Sequence, residues 1–394
     1  MSELTLLQGL RVVSLEQFIA GPYCTSLLAD AGAEVTKIER PGVGDPRRSY
    51  EPKVGDGEDA ISGGFASYNR GKRSVELALD TPEGVAELAG MLADADVLVC
   101  NLRPGALARM GLAPVALRER FPRLVVCEIT GFGSTGGEAA NWPAFDSVIQ
   151  GMSGFASLVG EADGPPTLTP MGTTDMLTAV YSTIGILMAI IQRERTGEGS
   201  LVDAAMLDIT AAFLERPLTL HEFTGAVPTR GIDRFSPVGM FRAGDGRWLS
   251  IVIPTDEMWR RCADAMGRPQ MITDPELDTV LKRADRMHDR VIPAFEAWAA
   301  GLTQEEAAHA LRVAGQPVGL VQDIGEVRAN PHLAHRELFV PMVDEVAMRA
   351  DGSRISLPRL PLLFDGEHAT PGPVPRLGEH NPPDGHGSSE QVAE

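Results

Sequence analysis

Two kinds of residue in this sequence are equipped for chemistry: a carboxylate at the head of an apolar run, and arginines gathered in an otherwise acidic chain. The carboxylate is Asp175, in the stretch GTTDMLTAVYSTIGILMA from Gly172 to Ala189. An aspartate in that place can cap a helix through its first free N–H groups, a contribution of about 1 kcal/mol. It can instead stand ionised but poorly solvated at the positive end of the helix dipole, a setting that suits a carboxylate nucleophile. The pattern leaves both readings open. The cations are Arg40, the NRGKRS cluster of Arg70, Lys72 and Arg73, and Arg103 and Arg109 of NLRPGALARMGL. Brought to one sheet edge they would suit a phosphate-bearing ligand. Solvated surface charge is the plainer account of any one of them.

Other reaction classes lack their usual groups. No GxGxxG follows the first strand, and GxxxxGK[ST], HExxH and GxSxG are absent, which argues against a standard dinucleotide fingerprint, a P-loop, a zincin or a nucleophile elbow. All eight histidines lie at or after His221, so chemistry housed in the first 220 residues has no imidazole base. Cys24, Cys100, Cys127 and Cys262 form no CxxC pair. That usage fits a reducing cytoplasm, and no metal site is expected.

The elements that must position Asp175 and the arginines are legible as alternation. RVVSL (Arg11–Leu15), EVTKIER, SVELAL, DVLVCN and LVVCEITGF read as strands, separated by helical patterns such as GPYCTSLLADAGA and TPEGVAELAGMLADA, the latter with Thr81 as cap and Pro82 behind it. Alternation of this kind predicts parallel βαβ units in a doubly wound sheet, whose ligands lie beyond the carboxyl ends of the strands. After Asp175, Leu177, Val180, Ile184, Leu187 and Ile191 step by three or four, which predicts one buried helical face. SLVDAAMLDITAAFLERPLTL reads as a further helical stretch, Gly244–Gly246 as a hairpin turn, and the tail from Gly366 as extended or disordered.

Bulk properties narrow the class. With 394 residues, 43% of them hydrophobic, the chain can bury a core in more than one domain. A net charge of −19 disfavours nucleic acid and anionic membrane partners. The start, MSELTLLQGLRVVSLEQ, lacks signal-peptide features, and the most apolar segment, Met176–Ile191, is shorter than the roughly 20 residues a bilayer needs.

Taken in order, GLRVVSLEQFIAGPYCTSLLADAGAEVTKIERPGVGDPRR, YNRGKRSVELALDTPEG, NLRPGALARMGL, FDSVIQGMSG, TDMLTAVYSTIGILMAIIQRERTGEGSLVDAAMLD and PRLGEHN resemble the class III coenzyme A transferases, a family that also includes 2-methylacyl-CoA racemases. The resemblance implies an α/β protein. A Rossmann-like large domain would take residues 1–222 and 323–394, the last part ending in a flexible tail, and a smaller α+β domain would take residues 223–322. It also implies an interlocked homodimer. Asp175 would be the nucleophile. CoA contacts would come from Arg40, the stretch Leu77 to Asp80 including Leu79, Asn101, Arg103 and Arg109, with Lys72 and Arg73 as weaker phosphate candidates; Ile19, Ala20 and Phe145 would lie near the thioester. CoA and acyl-CoA would be substrates, with a small carboxylic acid as second substrate and no permanently bound cofactor.

Departures from the family pattern narrow the chemistry further. Phe145 stands where the racemases carry a proton-shuttling histidine, so racemisation would need another base such as Asp146. Ile19 replaces the glutamine of formyl-CoA transferase, which argues against oxalate as the acceptor. TRGIDRFSPVG, Thr229 to Gly239, replaces a glycine run, and its Arg230 and Arg234 are candidates for a second carboxylate of a diacid. A racemase and a CoA-binding homologue without activity are the two alternative expectations.

Overall fold

The computed structural model describes residues 5–231, 233 and 236–382. Within these, the chain forms two compact units, one drawn from Met1–Val159, Pro166–Gly225 and Ala334–Glu394, the other from Gly160–Pro165 and Ala226–Leu333.

The larger unit is built on six strands: β1 (Arg11–Leu15), β2 (Glu34–Glu39), β3 (Arg73–Glu76), β4 (Val97–Cys100), β5 (Val125–Thr130) and β6 (Leu201–Ala205). They pair in the order β3-β2-β1-β4-β5-β6, every neighbour parallel. This is the order of the doubly wound nucleotide-binding sheet, with its switch point between β1 and β4. Helices lie on both faces, so the central strands β4 and β5 are buried almost throughout. Val12, Val35, Val99 and Cys127 share a core with Cys24 and Leu28 of α1 (Ala20–Asp30) and with Ala179 and Ile186 of α5 (Thr173–Thr196). Val13, Leu15, Leu98 and Val126 pack on the opposite face with Leu88 and Leu92 of α3 (Pro82–Ala93). That helix begins as its sequence predicts, with the Thr81 hydroxyl accepting the Gly84 N–H at 3.1 Å and Pro82 in the first turn. Two shorter helices complete the frame of the site, α2 (Gly63–Asn69) and α4 (Asp146–Met152).

Three expectations are corrected in this unit. The stretch after Gly199 is not wholly helical: Leu201–Ala205 is the edge strand β6, and it passes directly into α6 (Met206–Phe213) with no Gly or Pro between. The predicted buried stripe of α5 is also displaced. Its buried residues are Thr174, Thr178, Ala179, Ser182, Ile186, Ala189 and Arg193, whereas Val180, Ile184 and Ile191 are 40, 41 and 55% exposed. Small side chains seat the helix close to the sheet, and the bulky apolar side faces away. At 24 residues the helix is long and apolar enough to cross a bilayer by length and composition, but its small-residue face is packed into the core of this unit. Lastly, the tail from Gly366 is extended over residues 366–382, one of the two expectations, but it is held in place rather than disordered. The residues beyond Pro382 lie outside those described. The His380 N–H donates to Ser74 O at 2.9 Å and the Asn381 amide oxygen accepts the Glu76 N–H at 2.8 Å, so the segment covers the open edge of β3.

The smaller unit carries an antiparallel sheet of β7 (Val238–Arg242), β8 (Trp248–Val252) and β9 (Val318–Leu320), with the predicted turn between β7 and β8. Phe241, Leu249, Trp259, Phe295 and Leu311 centre its core.

Candidate active site

The helix carrying Asp175 starts earlier than the cap reading requires. Its N-cap is Gly172, at φ +89°, and Asp175 is the third helical residue. The capping role is filled from outside the helix. Asp146, at the start of α4, accepts the Thr174 N–H at 2.7 Å and the Thr174 hydroxyl at 2.8 Å through Oδ1, and the Gln150 amide at 2.8 Å through Oδ2. Gln150 is held in turn by Thr169, whose N–H and hydroxyl donate to its Oε1.

Asp175 is thereby spared. Among the described residues it makes no hydrogen bond and no ion pair, although it is half-buried on the first turn of a helix. Burial, then the neighbouring charge of Asp146, push its carboxyl up to about 7 against the opposing pull of Arg47. A carboxylate that is desolvated, uncommitted and ionisable near neutrality is equipped to attack a carbonyl.

The loops around it are tightly built. A Cβ on Gly172 would come within 3.1 Å of Ile19 Cδ1, so the loop after β1 touches the start of α5. In that loop Phe18 adopts φ +65° and sets its ring edge-on to Phe145, with centroids 5.6 Å apart. Gln17 and Asn101 exchange two 2.8 Å bonds across the switch point, Asn101 accepting the Gln17 N–H and donating to its carbonyl. Behind the loop lies a closed ionic cluster. Glu16 meets the Lys72 ammonium at 2.8 Å and Lys37 meets Asp45 at 2.9 Å, all four side chains fully buried. Burial works to raise the Glu16 carboxyl, but Lys72 and Lys37 outweigh it and hold it below its usual range.

The sequence profile of CoA-transferase family III matches residues 7–381. The chain belongs to CoA-transferase family III. It is 36% identical over 383 residues to the succinyl-CoA:mesaconate CoA-transferase of Haloarcula hispanica, covering 95% of this chain and 94% of that one. It is 36% identical over 380 residues to the acetyl-CoA:oxalate CoA-transferase of Acetobacter aceti, covering 94% and 92%. Its fold is similar to that of a CAIB/BAIF family protein from Brucella suis, at a TM-score of 0.81 and 28% identity over 95% of this chain and 97% of that one. The protein is an enzyme of this family, whose substrates are CoA thioesters.

In this CoA-transferase the residues expected to meet CoA fall into distinct settings. Arg40, Asn101 and Arg103 follow the carboxyl ends of β2 and β4, and Arg40 and Arg103 are exposed. Leu79 and Arg109 line an open cleft of about 820 Å³ together with Thr81, Val85 and Met110. Leu77 and Ala20 are buried at 5% exposure, Leu77 just beyond β3 and Ala20 as the first residue of α1. Phe145 is 60% exposed beside Phe18. Lys72 is not available to a phosphate: its ammonium donates to Glu16, Pro22 O and Asn69 in a site from which solvent is excluded, and burial pulls it down to about 8. Arg73 is exposed on β3, whereas Arg70 is buried and donates to Pro358 O. Arg230 belongs to the smaller unit, where its guanidinium donates to Gly164 O, and Arg234 lies outside the described residues.

Sequence reasoning missed two residues. The capping bond of Asp146 joins positions 28 apart in sequence, which no local pattern reveals. Arg47, in GDPRR, gave no signal that set it apart from Arg48.

Proposed function

We propose that the protein moves CoA from an acyl-CoA thioester to a free carboxylic acid through covalent chemistry at Asp175. The observation that carries this is the uncommitted, desolvated carboxylate of Asp175 beside a helix cap supplied by another residue. The Asp175 oxygen attacks the thioester carbonyl, the C–S bond breaks, and CoA leaves as thiolate, giving an aspartyl acyl anhydride. The thiolate then attacks the aspartyl carbonyl and expels the first acid as its carboxylate, leaving an aspartyl-CoA thioester. The acceptor carboxylate reverses the two steps. Bonds of similar energy are exchanged, so the sequence needs no ATP and no metal, but it does need water kept from the anhydride.

The acceptor we favour is a dicarboxylic acid other than oxalate, in keeping with the succinyl-CoA:mesaconate activity of the Haloarcula hispanica relative. The CoA nucleotide would lie along the carboxyl ends of β2 to β4, with Arg40, Arg103 and Arg109 as phosphate partners and Leu79 beside the adenine end. A second copy of the chain, interlocked with the first, would cover the outer side of α5, where Val180, Ile184, Met188 and Ile191 stand exposed. Four free, buried cysteines suit a reducing cytoplasmic setting.

A racemase is the weaker reading for a specific reason. Phe145 holds no proton, and Asp146 is 5% exposed with both oxygens occupied by Thr174 and Gln150, so neither is free to serve as the second base. The test is to incubate the enzyme with succinyl-CoA and a panel of acids in deuterated water. Acid-dependent formation of new acyl-CoA without α-deuteration supports transfer; α-deuteration without an acceptor supports racemisation; binding without either reaction marks an inactive homologue.

A further inference from the structure

We propose that Arg47 receives the distal carboxylate of a dicarboxylic acyl group held at Asp175, and so sets the enzyme's preference for diacids. This rests on the transferase reading of Asp175. Arg47 lies in the turn Pro46–Ser49 that follows β2, its N–H donating to Asp45 Oδ1 at 2.9 Å. The same carboxylate oxygen takes the Phe18 N–H at 3.4 Å, which ties the Arg47 turn to the loop that touches the start of α5.

The guanidinium is fixed on three sides. Nε donates to Gly64 O at 2.8 Å, and the rings of Tyr50 and Tyr68 flank it at 5.6 and 5.3 Å. Gly64 leaves the space it occupies, since a Cβ there would come within 3.1 Å of Nη2. Tyr68 in turn lines one cavity of about 190 Å³ with Met176, the residue after Asp175. Tyr68 therefore links the Arg47 guanidinium to the first turn of α5, the turn that carries Asp175.

Its charge is unspent. The adjacent Arg48 binds Glu39 through two bonds of 2.9 and 2.7 Å. Arg47 has no carboxylate within 4.0 Å among the described residues, and both Nη atoms remain for a ligand. Asp175 feels its positive field, and so does Tyr68. When Asp175 is acylated its negative charge disappears into a neutral anhydride or thioester, and the guanidinium is left without a balancing anion in a half-buried place. A diacid restores the balance by presenting its second carboxylate to a preorganised planar fork; a monoacid cannot.

The experiment compares succinyl-CoA with butyryl-CoA as donors, a pair differing in the distal carboxylate, in the full-length wild type, Arg47→Met and Arg47→Lys. Loss of one partner of a fixed charge pair is expected to lower kcat/KM for succinyl-CoA about 30-fold or more in Arg47→Met, chiefly through KM. On the alkaline plateau of the Asp175 profile, where the loss of the Arg47 charge no longer changes its ionisation, the rate with butyryl-CoA should change by no more than about 3-fold, and Arg47→Lys should fall between. Equal losses on both donors, or an unchanged preference in an active Arg47→Met, overturns the inference and leaves the transferase reading standing. If Arg47→Met does not fold, the wild type and Arg47→Lys decide: a wild type that favours butyryl-CoA, or a lysine variant with unaltered preference, overturns it. A wild type that exchanges no acyl-CoA and forms no adduct at Asp175 overturns the transferase reading itself.

Discussion

Asp146 caps the helix of Asp175: its Oδ1 accepts the Thr174 N–H at 2.7 Å and the Thr174 hydroxyl at 2.8 Å, one residue before the proposed nucleophile. One carboxylate serves the helix so that the next one does not have to. Replacing Asp146 with alanine removes a cap and leaves Thr174 and Gln150 groups unpaired in a buried place. The expected cost is about 1–3 kcal/mol in denaturant unfolding.

Burial, helped by the charge of the same neighbour, sets the working pH. With its carboxyl pushed up to about 7, Asp175 is protonated and inert in acid. The rate of acyl transfer from acyl-CoA to the enzyme should rise about tenfold per pH unit below 7 and level off above it. In Asp146→Ala the like charge is gone, and the midpoint of that profile should move to lower pH. A stopped-flow profile of CoA release for the two proteins checks both.

Stability should run the opposite way. Native Asp175 holds its proton up to about 7, whereas an unfolded aspartate releases it near 3.8. Between these values the native state binds more protons, so this group's contribution to stability falls as pH rises. Asp175→Asn removes the penalty. At pH 8 its Tm should exceed that of the wild type by about 2–4 °C, the shift that roughly 1 kcal/mol gives in a unit of this size, and the gain should vanish near pH 4.

Asn101 and Arg109 should separate structure from binding. Asn101→Ala breaks both bonds to Gln17 across the switch point and should cost about 1–3 kcal/mol. Arg109 is exposed in the cleft, where its guanidinium donates to Pro104 O at 3.4 Å. Arg109→Ala should leave unfolding unchanged, raise KM for acyl-CoA and weaken its dependence on salt. Thermal melts and salt-dependent kinetics on the two variants distinguish the outcomes.

The parallel sheet was legible because short β-branched runs alternate with helical patterns, and Thr81-Pro82 marks its helix directly. The strand Leu201–Ala205 was not, since its alanines suit a helix equally and no breaker separates it from Met206. Periodicity found the α5 stripe yet assigned it to the wrong side, because it counts bulky apolar residues while the close approach to the sheet selects small ones such as Thr178, Ala179 and Ser182. Asp175 was visible from its place in the chain. Its freedom from capping, the closed cluster around Lys72 and the posture of Arg47 depend on contacts between distant segments, such as Asp146 with Thr174 and Lys72 with Glu16, which spacing does not encode.

The most direct measurement is intact and peptide mass spectrometry after brief exposure to acyl-CoA, with borohydride or hydroxylamine to trap an activated carboxyl group. The account predicts a single modification on the peptide containing Asp175, absent in Asp175→Ala, which should also lose acyl exchange. An unmodified Asp175 peptide, or an alanine variant that exchanges acyl groups at the wild-type rate, would contradict it.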